Sequence, residues 1–166
     1  MIILGIDPGI AITGYGIIDT EGNIIKLLDF GCIRTDAKIV LEKRLEKIYL
    51  EISNLINKWF PREIVIEELF FNKNTKTALT VGQARGVVLL AAAQNQLPVS
   101  EYTPLQVKQS VVGYGRADKQ QVQYMVKNLL NLSSVPKPDD AADALAIAIC
   151  HAYSYRFKRK VGQRER

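Results

Sequence analysis

Residues 2–35, IILGIDPGIAITGYGIIDTEGNIIKLLDFGCIRT, hold three strand patterns in succession, and everything after them must pack on the sheet they begin. "IILGID" is a short, nearly continuous apolar run stopped by Asp-Pro-Gly, as in a strand buried on both faces. "TGYGIID" and "IIKLLDFGCIRT" are joined by the turn residues "EGN", so the pair predicts a hairpin or meander. The chain thus opens on three antiparallel strands, the first of which ends in a carboxylate, Asp7.

Beyond this stretch the apolar period lengthens. Leu41, Leu45, Ile48, Ile52, Leu55, Ile56 and Trp59 predict an amphipathic helix over residues 39–59, stopped by Pro61. "EIVIEEL" (63–69) returns to a strand pattern that again runs into carboxylates, Glu67 and Glu68. "TKTALTVGQARGVVLLAAAQNQ" predicts a helix, "PVSEY" a fifth strand, and "TPLQVKQSVV" a helix entered at Thr103 with Pro104 as its first residue. "GYGRAD" is a flexible loop. Val122, Met125, Val126 and Leu129 mark another amphipathic helix, and a last helix follows the Pro-rich "SSVPKP". The order βββ-α-β-α-β-α-α-α predicts an α/β fold. Its five-stranded mixed sheet has three antiparallel strands, then parallel strands reached by right-handed crossovers, with helices on both faces.

A chain of 166 residues suits one domain, and 48% hydrophobic with 23% charged residues excludes a disordered or fibrous chain. The net charge of +5 lies in "RFKRKVGQRER" (156–166), where six Lys or Arg face one Glu, so the rest of the chain is neutral overall. A basic run at a terminus is usually solvated. The expected organisation is therefore a domain over residues 1–155 and a mobile basic tail over 156–166. The longest apolar runs, such as Val87 to Ala93, fall far short of the roughly 20 residues of a membrane span. "MIILGIDPG" has neither a basic n-region nor a small-residue cleavage site, so a cytoplasmic protein is expected. Cys32 and Cys150 match no disulfide framework or metal spacing and are read as core thiols.

The chemistry is concentrated in "PDDAADALAIAIC" (138–150), where three acids precede an apolar helix. Asp139 and Asp140 fit capping and compensation of the helix dipole, worth about 0.3–1 kcal/mol each. Asp143 does not. It lies three residues after Asp140, so the two share a face of a helix that is otherwise apolar on nearly every side. Two carboxylates at a buried helix start, with no basic residue in that turn, need a cation beside them. Asp7 fits turn chemistry as the first residue of Asp-Pro-Gly, and Glu67 fits a surface acid at a strand end. Yet both fall at the carboxyl ends of strands, where sites form in open sheets with parallel strands. Four converging carboxylates would repel one another unless neutralised, and hard oxygen ligands suit Mg²⁺ or Mn²⁺. The chemistry of two such ions beside phosphate is in-line displacement, so the inferred class is metal-dependent phosphodiester hydrolysis.

"ILGIDPG", "TGYG", "GCIRT", "IEELFF", "GQARGV", "QVKQSVVGYGRADKQQV" and "DDAADALAIAI" together closely resemble the RuvC Holliday-junction resolvases, from Met1 to about His151. The resemblance implies an RNase H-like fold and a homodimeric endonuclease. Such an enzyme nicks opposed strands of a four-way DNA junction in recombination and repair, with the RuvA–RuvB branch-migration complex as partner. It places the family's acidic tetrad on Asp7, Glu67, Asp140 and Asp143, with Asp7 bridging two Mg²⁺ ions and 5′-phosphate products. Asp139 is left as a capping residue.

The same resemblance gives Phe70 a stacking role in the opened junction, although Phe71 beside it offers a second ring and both could instead cover a core edge. Lys108 and Lys119 match basic positions near the scissile phosphate, where their alternative is solvent-facing lysine. Lys73, Lys76 and the tail could add non-specific phosphate contacts. Arg85 sits between Gly82 and Gly86, whose spacing permits close helix approach, so a packing or dimer role is expected. His151 is expected to be structural. Two other readings differ in testable ways. A non-catalytic DNA-binding module would lack the carboxylates, and an actin-like ATPase or sugar-kinase relative would duplicate the domain around a nucleotide cleft.

Overall fold

The computed structural model describes residues 1–68 and 75–162, with 75–77 and 157–162 described by backbone alone. Strands β1 (Ile2–Asp7), β2 (Ile12–Glu21) and β3 (Ile24–Arg34) form the antiparallel opening. Helix α1 (Leu41–Trp59), strand β4 (Glu63–Glu67), helix α2 (Thr75–Gln94) and strand β5 (Val99–Tyr102) follow, then helices α3 (Pro104–Val112), α4 (Lys119–Leu129) and α5 (Asp139–Gly162). The sheet order is β3-β2-β1-β4-β5, with β1–β4 and β4–β5 parallel. This is the predicted mixed sheet.

Strand periodicity divides the core into two layers. Leu4, Ile6, Ile17, Ile64 and Ile66 turn to one face, where Ile48, Ile52 and Ile56 of α1 and Ala84, Val88 and Ala91 of α2 cover them. Ile3, Ile18 and Val65 turn to the other, under α3, α4 and α5. Each strand thus fills both layers, which is why its sequence reads as a continuous apolar run. Fully burying one such aliphatic side chain is worth about 1.5–3 kcal/mol.

Helix entries follow the sequence with two differences. Thr103 caps α3 as expected, accepting from the Gln106 N–H at 3.1 Å in a capping box, with Pro104 in the first turn. "GYGRAD" ends not in free loop but in the cap of α4, because Asp118 accepts from the Gln121 N–H at 2.8 Å. Asp139 is not the cap of α5. The carbonyl of Pro138 accepts the first helical N–H groups, from Ala141 at 3.1 Å and Ala142 at 3.4 Å, so Asp139 is already inside the first turn. Helix α5 continues past residue 155 to Gly162 without a break, and Cys32 is half-buried while Cys150 is buried.

Helix α5 is the mount of the fold. Apart from Asp143, every residue from Ala141 to Ala152 is buried. It lies on β1 and β2 at backbone contact, made possible by glycine. A Cβ added at Gly14 would overlap the Asp140 carbonyl oxygen, and one at Gly5 would overlap that of Ala144. Alanines 141, 144 and 148 complete the small-on-small surface from the helix side.

Candidate active site

Asp7 and Glu67 are the last residues of β1 and β4, adjacent parallel strands whose pairing ends at Ile6 and Ile66. Both carboxylates therefore leave the sheet side by side at its carboxyl end. Gly14 is the partner of Asp7 on β2, and because Gly14 lies against the Asp140 carbonyl, the first turn of α5 is held beside Asp7. The turn after β1 is held by Thr13, whose Oγ1 donates to the Gly9 carbonyl at 2.6 Å and accepts from the Gly9 N–H at 3.4 Å. The turn itself is thus secured by a side chain other than Asp7.

Asp7, Glu67, Asp143, Lys108 and Lys119 line one cleft of about 200 Å³, floored by Val107, Val122, Ala146 and Ile147. Asp140 flanks the cleft rather than lining it, on the side of Cys32; its charge acts on both Asp7 and Cys32. Lys119 opens α4 and crosses to α5, with Nζ 2.9 Å from Asp143 and 3.7 Å from Asp139. Lys137 holds the other oxygen of Asp139 at 2.8 Å. The cation that the acidic helix start demanded is thus supplied in part by a lysine, distant in sequence and adjacent in space.

Electrostatics single out Asp7. Burial pushes its carboxyl up from 3.8 to about 7, reinforced by repulsion from Asp143, Glu67 and Asp140 and offset in part by Lys119. Glu67 is also raised, first by burial and then by Asp143, against the pull of Lys108 and Lys119. Asp143 is raised by burial, although its hydrogen bond and attraction to Lys119 act the other way. Lys119 is raised because Asp143, Asp139 and Asp140 together outweigh its own burial. Among the described residues no three His, Cys, Asp or Glu side chains gather on a single point. Lys119 holds Asp143 by an ion pair within the cleft.

Among the described residues the donors are all carboxylate oxygens, with no thiolate or imidazole in the cleft, and such a hard set suits Mg²⁺ or Mn²⁺. Asp7 is buried and is acted on by Asp143, Glu67 and Asp140, a repulsion that a cation in the cleft would relieve. The residues present therefore fit a divalent cation.

Other expected site residues fall elsewhere. Phe70, Phe71 and Lys73 lie outside the described residues, as does the side chain of Lys76, whose backbone is in the first turn of α2. His151 is buried, with Nδ1 3.1 Å from the Tyr102 hydroxyl and Nε2 3.1 Å from Glu63, consistent with a structural role. Sequence reasoning missed the contact of Arg85 with Glu67. The Arg85 guanidinium donates to the Glu67 main-chain carbonyl at 2.8 Å, a meeting that depends on how α2 lies over β4.

The chain is similar to known proteins over nearly its whole length. The family described as "Crossover junction endodeoxyribonuclease RuvC" matches residues 3–151. The protein of that name from Halothermothrix orenii is 59% identical, over 98% of each chain. The one from Alkaliphilus oremlandii is 62% identical over 95% of this chain and 96% of its own. Among solved structures, the T. thermophilus RuvC in complex with a Holliday junction substrate superposes with a TM-score of 0.91. It has 36% identity and covers 95% of this chain and 96% of that one. The yeast mitochondrial resolvase Ydc2, at 14% identity and a TM-score of 0.66 over 99% of this chain and 86% of its own, shares the fold. With an RNase H-like sheet, a near-complete match and relatives at this level of identity, the chain belongs to the RuvC family of crossover junction endodeoxyribonucleases, the resolvases of four-way junctions.

Proposed function

We propose that this protein nicks opposed strands of a four-way DNA junction by metal-dependent hydrolysis, with Asp7, Glu67, Asp140 and Asp143 as the metal ligands. The observation that carries the reading is the cleft lined by Asp7, Glu67 and Asp143 together with Lys108 and Lys119, with Asp140 at its flank. Two Mg²⁺ ions, or Mn²⁺ in their place, when bound there supply stabilisation of the attacking and leaving oxygens of an in-line displacement. Asp7, whose carboxyl is acted on by the other three acids, would be a ligand of the bound metal. Glu67 lies beside it at the ends of β1 and β4, Asp143 lines the same cleft, and Asp140 would complete the set from its flank. Lys108 and Lys119 meet the phosphate as point charges, and Lys119 reaches it by exchanging its contact with Asp143. Products carry 5′-phosphate and 3′-hydroxyl ends, as the family resemblance implies.

Phe70 or Phe71 stacks on a junction base, an interaction worth about 1–3 kcal/mol. Lys73, Lys76 and the basic end of the chain add phosphate contacts. Paired nicks need two sites, hence a homodimer, and α2 offers the surface. Leu79, Gly82, Gly86 and Leu90 fall on one face of this helix. Both leucines are exposed, and a Cβ added at either glycine would meet nothing within 4 Å. The RuvA–RuvB complex is the partner in the cytoplasm, where recombination intermediates arise. The related T. thermophilus protein, solved with a Holliday junction substrate, supports the choice of DNA.

The test incubates the protein and its Asp7→Asn variant with a synthetic four-way junction and with linear duplex, with and without Mg²⁺. Paired nicks in the junction that require Mg²⁺ and vanish in the variant are expected. Equal cutting of linear duplex would sink junction selectivity, and binding without cutting would leave a DNA-binding module.

A further inference from the structure

The side chain of Arg85 does not serve the open face of α2; it turns inward and is 12% exposed. One arm of the guanidinium donates to the Glu67 carbonyl at 2.8 Å, and the other meets the Glu101 carboxylate at 2.5 Å. Its two acceptors belong to neighbouring strands at the same end of the sheet, since Ile66 pairs with Glu101 and Glu67 with Tyr102. The β1–β4 pairing stops at Ile6 and Ile66, and the residue after Asp7 is Pro8, which carries no N–H to extend that ladder. Arg85 supplies a donor where the sheet has run out of one.

We propose that Arg85 is a positioning residue for the nuclease reaction: it pins the main chain at Glu67 and so aims the Glu67 carboxylate at Asp7 and Asp143, while Glu101 orients the guanidinium. The inference rests on the reading of Glu67 as a metal ligand. Arg85 meets Glu67 at the main-chain carbonyl, on the strand itself. It therefore works through the backbone, by placement. The planar fork of arginine reaches both acceptors at fixed angles, whereas lysine offers one compact charge and keeps only one of them. Groups that orient metal ligands typically change metal affinity or activity by about 10–100-fold when removed.

The experiment uses the full chain and its Arg85→Met, Arg85→Lys, Glu101→Gln and Glu67→Gln variants. Mn²⁺ affinity of the free protein is measured by calorimetry, nicking of a four-way junction in single turnovers at saturating Mg²⁺, and junction affinity in EDTA. Arg85→Met is expected to weaken Mn²⁺ binding and slow nicking by about 10-fold or more, with junction affinity unchanged and the pH midpoint of the rate unmoved. Arg85→Lys should recover part of both losses, and Glu101→Gln should show a smaller loss of the same kind. Wild-type Mn²⁺ affinity and rate in Arg85→Met, with Glu67→Gln inactive, would overturn the role of Arg85 while leaving the site intact. Loss of junction affinity with unchanged Mn²⁺ binding would overturn it too, making Arg85 a DNA contact. Should Arg85→Met fail to fold, Arg85→Lys decides: reduced Mn²⁺ affinity and rate support the proposal, and wild-type values overturn it. Full activity in Glu67→Gln would instead remove the underlying reading of Glu67.

Discussion

Glycine does opposite things on the two faces of the sheet. Gly5 and Gly14 lie under α5 so closely that an added methyl would strike helix backbone, whereas Gly82 and Gly86 on α2 have only open space around them. A small residue marks a place where something comes near. On the α5 face that neighbour is the chain itself, and the approach brings Asp140 and Asp143 to Asp7. On the α2 face nothing within the described residues fills the gap beside Gly82 and Gly86, which is why that surface is proposed for a second copy.

The contrast is broken most severely at Gly14. Gly14→Val should force the first turn of α5 off β2, lowering stability by about 3 kcal/mol or more in urea denaturation and abolishing nicking. The next effect is a pH dependence seated on the same closed face. The Asp7 carboxyl is raised in the folded protein from 3.8 to about 7, so the folded state favours the protonated form. Its stabilising contribution is complete below pH 4 and lost as pH rises through about 7. In EDTA, wild type should lose on the order of 2 kcal/mol between pH 5 and pH 8 that Asp7→Asn does not, as read from denaturation midpoints. Adding Mg²⁺ at pH 8 should restore wild type and leave Asp7→Asn unchanged.

Smaller effects sharpen the comparison. Lys119→Met removes the ammonium from Asp143, and at pH 8 in EDTA it should cost up to about 1 kcal/mol, given how exposed the lysine is. Its nicking rate should fall by more than that loss of stability accounts for, measured in single turnovers. On the open face, Gly86→Ala should leave the fold slightly stabilised, by up to about 1 kcal/mol. The same variant should weaken self-association in sedimentation experiments, whereas Gly14→Val should damage the fold itself.

Much of this was legible in the sequence because it depends on neighbours along the chain. Strand and helix periods gave the mixed sheet, and Thr103-Pro104 gave the start of α3. What could not be read depends on meetings across the fold. Lys119 reaches Asp143 only because α4 packs on α5, so the acidic helix start looked short of positive charge. Asp139 looked like a cap because composition cannot tell that the Pro138 carbonyl already holds that position. Arg85 finds Glu67 through the lie of α2 over the ends of β4 and β5, and no local pattern announces it.

The seat of α5 on Gly14 also bears on mechanical tolerance. Where side chains separate two elements, their spacing drifts as rotamers exchange and as packing expands with heat. Here the carbonyl of Asp140 rests on main chain, so bond lengths and van der Waals radii gauge the gap between the two halves of the acidic cluster. Such a spacer has no rotamers. The separation of Asp140 from Asp7 should therefore vary less with temperature than any side-chain contact in the core, and a single added carbon is the smallest error it registers.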